Sequence, residues 1–232
     1  PIWGPAQAIN AGDGMHALAR LTLLRQSERG MAPETALRAV ALLDAACLRL
    51  CEGQYLDLTY QQMTDVSLDA YLRMVEGKTA ALMSCAAGLG ALMASGNERA
   101  IQALSRFGLK LGTAFQIRDD ILDLWGLQST GKPLAGDILS KKKSLPVIYA
   151  LQNATGPEKR ALSDAYSREA MDSGDVARVI EVLERLGARG FSQEKADTVC
   201  LEAVQALDDA NLSPPGLDQL KELARFLVTR NT

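Results

Sequence analysis

Apolar residues recur along this sequence at helical rather than alternating spacing. Leu and Ala dominate, β-branched residues are sparse, and no alternating polar–apolar run is long enough to propose a sheet. Gly, Pro and Asn divide the pattern into predicted helices at residues 6–26, 33–54, 67–95, 98–127 and 144–151, with several amphipathic helices beyond residue 157. We therefore expect a single all-α domain.

The composition favours a globular chain without a nucleic-acid partner. Hydrophobic residues make up 47% of the 232 residues, which is enough to build a sizeable core and excludes wholesale disorder. The formal net charge is −3, so the basic surface of a nucleic-acid-binding protein is missing.

The cysteines and the single histidine indicate a reducing, cytoplasmic compartment rather than a zinc site. The four cysteines lie in apolar helical patterns and form no Cys-x-x-Cys pair, and His16 is the one histidine. No secretory signal opens the sequence. The most apolar stretch, residues 79–95, is shorter than a bilayer span and rich in Gly and Ala, so we predict a buried core helix and no transmembrane segment.

Three carboxylates lie close together in a strongly apolar helical run, FQIRDDILDLWG at residues 115–126. Asp119 and Asp123 share one helix face, and Asp120 lies about 100° round the helix. Like charges at this spacing repel, and hard oxygen ligands suit magnesium, which would remove the repulsion. From spacing alone, a metal site and a solvated face with Arg118 as counter-ion stay equally open. We name Asp119, Asp120 and Asp123 the aspartate triad.

Lysine-rich segments follow the aspartate triad closely, at residues 131–133 (GKP) and 137–143 (DILSKKK). Carboxylates beside lysines make a site of mixed sign, which a magnesium–diphosphate ligand requires. Taken alone, the lysine run reads more simply as a solubilising surface segment.

Two further polar pairs interrupt apolar helices. Lys78 lies just before the most apolar stretch, with Thr79 beside it, and this lysine either extends harmlessly to solvent or reaches a phosphate at the mouth of an apolar cavity. Gln54 and Asp57 lie at the end of a hydrophobic helix.

Together these motifs resemble the trans-isoprenyl diphosphate synthases, the polyprenyl synthetase family. Residues 115–123 are similar to the family's second aspartate-rich motif, and residues 131–146 to its diphosphate-binding loop. Lys78-Thr79 is similar to the family's Lys-Thr pair, and residues 53–57 (GQYLD) to its Gly-Gln-x-x-Asp motif. The run Leu124-Trp125-Gly126 resembles bacterial members that make geranylgeranyl diphosphate.

The resemblance implies an isoprenoid synthase-type bundle of long helices around a central apolar cavity. It implies a magnesium-dependent prenyltransferase that condenses isopentenyl diphosphate with an allylic diphosphate. The product would be a longer all-trans polyprenyl diphosphate of the geranylgeranyl or farnesyl class. Three Mg²⁺ ions, or Mn²⁺ in their place, would be bound between two aspartate-rich motifs.

Residue roles follow from the same resemblance. The aspartate triad would form the second metal-binding motif, with Asp119 the main candidate for direct coordination. Lys78, Lys132 and Lys142 would bind the allylic diphosphate and stabilise it as it leaves.

The remaining roles concern the substrate's apolar end and the final proton. Thr79 and Gln116 would line the carbocation region, and Gln54 would contact substrate. The departing pyrophosphate would accept the last proton, so no protein base is needed.

The family's first aspartate-rich motif, its arginine pair and its isopentenyl diphosphate site would precede Trp3. Because the sequence opens Pro-Ile-Trp-Gly-Pro without a methionine, we expect residues 1–232 to be one polyprenyl synthetase domain that lacks its N-terminal helices.

Two other functions stay open. A class I terpene cyclase on the same fold would ionise a diphosphate without adding isopentenyl diphosphate, and a non-catalytic regulatory subunit would modulate a partner synthase. The Ala-rich first two helices could supply a homodimer interface, which the resemblance also implies.

Overall fold

The computed structural model describes residues 3–63, 65–126 and 135–230. Within them the chain forms eleven α-helices and no strand: α1 Gly4–Leu24, α2 Pro33–Gln61, α3 Leu68–Val75, α4 Ala81–Ala94, α5 Glu98–Trp125, α6 Gly136–Leu139, α7 Leu145–Asn153, α8 Gly156–Ser167, α9 Ser173–Arg185, α10 Ala188–Ala206 and α11 Pro214–Thr229. The all-α prediction is confirmed.

Helix α5 is the centre of the bundle. It packs against α4 on one side and α10 on the other, while α2 packs against α4. Side chains from α2 to α5, α7, α10 and α11 form one hydrophobic cluster, and the C-terminal end of α5 joins a second cluster built by α6 to α9. Ile121 belongs to the first cluster and Leu124 to the second, so the aspartate triad lies where the two meet.

A π-helical segment, Glu76–Ala80, connects α3 to α4. Together they form one continuous helix, Leu68–Ala94, which begins after Ser67, whose hydroxyl accepts a hydrogen bond from the Ala70 N–H. Single π-helical turns carry an extra residue per turn and occur often at functional sites. Here that turn carries Lys78 and Thr79.

Glycines allow the π-helical segment to approach its neighbours. A Cβ atom on Gly53 of α2 would lie 2.1 Å from the Lys78 backbone nitrogen, and one on Gly112 of α5 would lie 2.6 Å from the Ala80 Cα. Only glycine fits at both positions. Helix α2 also runs to Gln61 instead of ending near residue 54, and its last turns bury Asp57 and Tyr60.

Helix Leu68–Ala94 is also the one helix among the described residues that is long and apolar enough to cross a membrane. Its most apolar window has a mean hydropathy of 1.2. A single helix of this kind is weak evidence, since core helices pass the same test. It lies between α2 and α5, and the absence of a transmembrane segment stays a prediction.

Candidate active site

Asp120 is the buried centre of a polar cluster on α5, with 1% of its surface exposed. Its Oδ2 accepts hydrogen bonds from the Tyr71 hydroxyl at 2.7 Å and the Leu145 N–H at 3.0 Å. Its Oδ1 accepts one from the Gln116 side-chain amide at 3.1 Å and lies 3.7 Å from the Lys142 Nζ. Because donors face both oxygens, the ionised carboxylate is the form that fits.

Lys142 balances two carboxylates at once. Burial raises the pKa of Asp120, and the Lys142 ammonium opposes that shift. Burial alone would lower the pKa of Lys142, but Asp120 and Asp137 outweigh it and raise this pKa well above its usual value. The Lys142 Nζ lies 2.8 Å from Oδ2 of Asp137. Lys142 therefore carries its proton, which suits a ligand of opposite charge.

The other two members of the aspartate triad are less enclosed. Asp119 is 55% exposed, and its Oδ1 lies 3.0 Å from Nη2 of Arg230. Burial raises the pKa of Asp123, whose Oδ2 accepts a hydrogen bond from the Asp137 N–H at 3.0 Å. Each therefore keeps carboxylate oxygen that protein donors leave uncommitted within the described ranges.

Those oxygens fit a divalent cation bound together with a ligand. Within the described part of the chain, no three His, Cys, Asp or Glu side chains could enclose a metal ion by themselves. Mg²⁺ is usually bound by one or two carboxylates together with substrate phosphates and water. Asp119 and Asp123 match that arrangement, whereas the oxygens of Asp120 are already engaged by protein donors.

Lys78 forms a second charged pair beside this cluster. Its Nζ lies 2.5 Å from Oδ2 of Asp57, which is buried on α2. Asp57 also contributes to the raised pKa of Lys142, so the two lysines belong to one electrostatic environment. Gln54 lies on α2 one helical turn before Asp57 and is half-buried.

Thr79 is linked to the same cluster through Gln116. The Thr79 hydroxyl donates a hydrogen bond to the Gln116 Oε1 at 2.7 Å, and the amide nitrogen of Gln116 donates to Asp120. The π-helical segment and α5 thus place a hydroxyl and an amide side by side.

The predicted residues separate into four groups. Lys78 pairs with Asp57 of α2, the helix that also carries Gln54. Contacts join Thr79, Gln116, Asp120 and Lys142 directly, and helix α5 brings the rest of the aspartate triad beside them. Lys132 lies outside the described residues.

Three residues of the site were missed or given no role by the sequence: Tyr71, Asp137 and Arg230. Tyr71 had a usable signal, since it lies seven residues before Lys78 and two helical turns place both on one face. Arg230 had none.

The helical bundle and its buried cluster of carboxylates and lysines define an all-α protein with a polar site of mixed charge. The chain belongs to the polyprenyl synthetase family, whose model matches residues 1–183. This confirms the resemblance found in the sequence.

Individual relatives agree with that assignment. The chain is 39% identical over 215 residues to the geranylgeranyl diphosphate synthase of Mycobacterium tuberculosis, covering 92% of this chain and 60% of the relative. The crystal structure of a geranylgeranyl pyrophosphate synthetase from Pyrococcus horikoshii superimposes with a TM-score of 0.86 at 33% identity, covering 99% of this chain and 68% of that one. A polyprenyl synthase from Caulobacter crescentus, crystallised with calcium and isoprenyl diphosphate, gives a TM-score of 0.87 at 30% identity, covering 100% and 68%.

The isoprenoid synthase fold is therefore confirmed for the described residues. The chain spans less than two thirds of the length of the mycobacterial relative.

Proposed function

We propose that the protein is a divalent-metal-dependent prenyltransferase that joins isopentenyl diphosphate to an allylic diphosphate. The product is a longer all-trans polyprenyl diphosphate of the geranylgeranyl or farnesyl class. The observation that carries this proposal is the buried contact of Asp120 with Lys142, Tyr71 and Gln116 at the meeting point of α3, α5 and α7. The relatives named above support it.

Asp119 and Asp123 would bind the cations, Mg²⁺ or Mn²⁺. Such an ion would neutralise diphosphate charge and make the diphosphate a better leaving group. Asp120 contributes differently, because its oxygens already accept hydrogen bonds from protein donors. It holds Lys142 and Gln116 in place. The Caulobacter structure, which contains both calcium and an isoprenyl diphosphate, supports this pairing of cation and diphosphate.

Lys78 and Lys142, with Lys132 as predicted from the sequence, would bind the allylic diphosphate. Lys142 is well suited to this task because neighbouring carboxylates keep it protonated. When the carbon–oxygen bond of the allylic substrate breaks, its electron pair leaves with the diphosphate. The lysines stabilise the charge that accumulates there.

Thr79 and Gln116 would face the allylic cation. The double bond of isopentenyl diphosphate supplies the electron pair for the new carbon–carbon bond, and the departing pyrophosphate accepts the proton released afterwards. Oriented hydroxyl and amide dipoles can stabilise positive charge without reacting with it.

The predicted homodimer and cytoplasmic location belong to this proposal. Helix α1 has no buried residue within the described chain and exposes several large apolar side chains: Ile9, Met15, Leu18, Leu21 and Leu24. Several exposed large apolar side chains on one helix are typical of an interface. All four cysteines are free, as expected in a reducing compartment.

The test compares three forms of the full-length protein: wild type, Asp119→Ala and Asp208→Ala. Asp208 is an exposed aspartate outside the site, so its variant controls for the loss of a surface charge. Each is incubated with Mg²⁺, isopentenyl diphosphate and an allylic diphosphate, and products are measured by mass spectrometry. We expect wild type and Asp208→Ala to elongate the substrate, and Asp119→Ala to lose about 100-fold or more of that rate.

Three results would contradict the proposal or a part of it. Products that form from the allylic substrate without isopentenyl diphosphate would indicate a terpene cyclase. Wild type that is inactive alone but alters the rate of a partner synthase would indicate a regulatory subunit. Unchanged turnover of Asp119→Ala would overturn the metal assignment.

A further inference from the structure

A series of hydrogen bonds with a fixed direction connects Thr79 to Asp120. The Thr79 hydroxyl donates to the Gln116 Oε1 at 2.7 Å, and the Gln116 Nε2 donates to Oδ1 of Asp120 at 3.1 Å. An amide has one acceptor end and one donor end, while a carboxylate only accepts. The direction of the whole series is therefore set at Asp120.

Turning the Gln116 amide over would place its oxygen against the carboxylate oxygen of Asp120. Two acceptors would then face each other, and the Thr79 hydroxyl would face a donor. The arrangement stays fixed as long as Asp120 is a carboxylate held in this orientation. The contacts that keep an oxygen of Asp120 within reach of the Gln116 amide therefore hold the Thr79 hydrogen in its direction.

Tyr71 is the side-chain donor on the opposite oxygen of Asp120. Its hydroxyl lies 2.7 Å from Oδ2, and the residue is 1% exposed. The other donor to Oδ2 is the Leu145 backbone N–H, which no side-chain change removes. Tyr71 precedes Lys78 and Thr79 by two helical turns on the same continuous helix. One helix thus supplies both the first donor and the hydroxyl at the far end of the series.

We propose that Tyr71 is a positioning residue for Thr79. Acting through Asp120, it keeps the Gln116 amide turned so that the Thr79 hydrogen is always donated to the amide oxygen. The lone pairs of the Thr79 oxygen then stay available to a positively charged reaction centre. This last benefit rests on the proposed prenyl transfer, whereas the orientation of the amide does not.

The matched pair of variants is Tyr71→Phe and Tyr60→Phe. Tyr60 belongs to the same hydrophobic cluster and is 8% exposed, but its hydroxyl faces the Ala70 carbonyl at 3.5 Å and not Asp120. Each change removes one hydroxyl from the same core. A merely structural effect would appear in both, and thermal unfolding measures it.

The first readout is independent of turnover. The side-chain amide signal of Gln116 is followed by ¹⁵N NMR in the full-length protein and assigned by its loss in Gln116→Met. We expect Tyr71→Phe to shift this signal and to speed its exchange with solvent about tenfold, whereas Tyr60→Phe leaves it unchanged. An unchanged Gln116 signal in Tyr71→Phe would overturn the proposal. If Tyr71→Phe does not fold, Asp120→Asn must produce the same change, and an unchanged signal there is equally decisive.

The second readout is a double-mutant cycle on turnover. We expect Tyr71→Phe to lower kcat about tenfold with less than about twofold change in the KM for the allylic diphosphate. In a Thr79→Val background, the same change should lower kcat by less than about twofold, because the hydroxyl that Tyr71 orients is gone. Equal losses in both backgrounds would contradict the proposal. A wild-type protein that does not elongate would refute the proposed function, and the NMR readout would still decide the role of Tyr71.

Discussion

Nη2 of Arg230 lies 3.0 Å from Oδ1 of Asp119, the most exposed member of the aspartate triad. The Arg230 guanidinium also stacks on the ring of Phe115, 4.3 Å from its centroid. The backbone carbonyl of Arg230 accepts hydrogen bonds from Nε and Nη2 of Arg118 at 3.0 and 2.6 Å. The C-terminal end of α11 is therefore fixed over one of the carboxylates proposed to bind metal.

Removing the Arg230 charge should strengthen binding of a divalent cation in the absence of substrate. The guanidinium neutralises part of the charge on Asp119, and a cation that binds there has to displace it. Partly exposed ion pairs contribute about 0.2–1 kcal/mol, so we expect Arg230→Ala to lower the Kd for Mn²⁺ by about 2–5-fold. Electron paramagnetic resonance of free Mn²⁺ measures this without any turnover.

The control for this prediction is Arg225→Ala, which removes an exposed arginine from the same helix. It should leave the Kd unchanged. Equal affinities for wild type and Arg230→Ala would show that Asp119 does not contribute to cation binding in the free protein.

Because α2 approaches the π-helical segment closely at Gly53, we expect a larger side chain there to destabilise the fold strongly. A Cβ on Gly53 would lie 2.1 Å from the Lys78 nitrogen and 2.7 Å from the Gly77 carbonyl carbon, both of them backbone atoms. Backbone cannot turn aside, so Gly53→Ala should lower the free energy of unfolding by about 3 kcal/mol or more. It should also displace Lys78 from Asp57.

Gly90→Ala is the matched control, because nothing lies within 4 Å of a Cβ at that position in α4. Alanine is the better helix former, so this variant should gain about 0.5–1 kcal/mol. Urea denaturation of both variants gives the comparison, and a stable Gly53→Ala would show that the two helices are farther apart than described.

The helices were predictable because the residues that begin and end them act locally in the sequence. Pro33 begins α2 and Asn97 caps α5, and residues of these types mark helix ends in any sequence. The π-helical segment was not predictable in this way. It depends on Gly53 and Gly112, which lie on two other helices and fit against it only in the folded chain.

The site residues likewise divide into those that local sequence motifs reveal and those that only the folded chain reveals. The aspartate triad and Lys142 stand in short motifs whose charges conflict with their apolar surroundings, so the sequence itself points to them. Tyr71 shares a helix face with Lys78, but packing alone also explains a tyrosine in an apolar helix, so its spacing is a weaker signal than charge. Arg230 is 111 residues from Asp119, and no local pattern connects the two. The sequence therefore identified the charged groups but not the residues that orient or cover them.

Removing the hydroxyl of Tyr166 should stabilise the fold, whereas removing the hydroxyl of Tyr71 should destabilise it. Its hydroxyl is out of contact with water and has no hydrogen-bond partner within the described ranges, and burial raises its pKa. An unsatisfied buried hydroxyl costs about 1–3 kcal/mol. Tyr166→Phe should therefore raise the free energy of unfolding by about 1 kcal/mol in urea denaturation, while Tyr71→Phe lowers it. A loss of stability in Tyr166→Phe would mean that the hydroxyl is hydrogen-bonded in solution.

Lys143 makes the stability of the fold depend on pH. Its ammonium lies 4.7 Å from the centre of the Tyr166 ring and donates to the carbonyls of Lys141 and Gln61. Burial, with a smaller contribution from the charge of Lys141, lowers the pKa of Lys143 to about 8. Because an unfolded chain would keep this lysine protonated up to about pH 10.4, the unfolded state binds the extra proton between these two values.

The contribution of Lys143 to the free energy of unfolding should therefore rise with pH between pH 8 and about pH 10.4. Below pH 8 the folded state carries the full cost of a buried charge. The difference in unfolding free energy between wild type and Lys143→Met should increase in favour of wild type by about 1–3 kcal/mol from pH 8 to 10.4. Other lysines and tyrosines titrate in the same range, and taking the difference between the two proteins removes their contribution. Urea denaturation at several pH values measures it, with Lys159→Met, which removes an exposed lysine from α8, as the control. A difference that does not change with pH would show that Lys143 keeps an ordinary pKa in the folded protein.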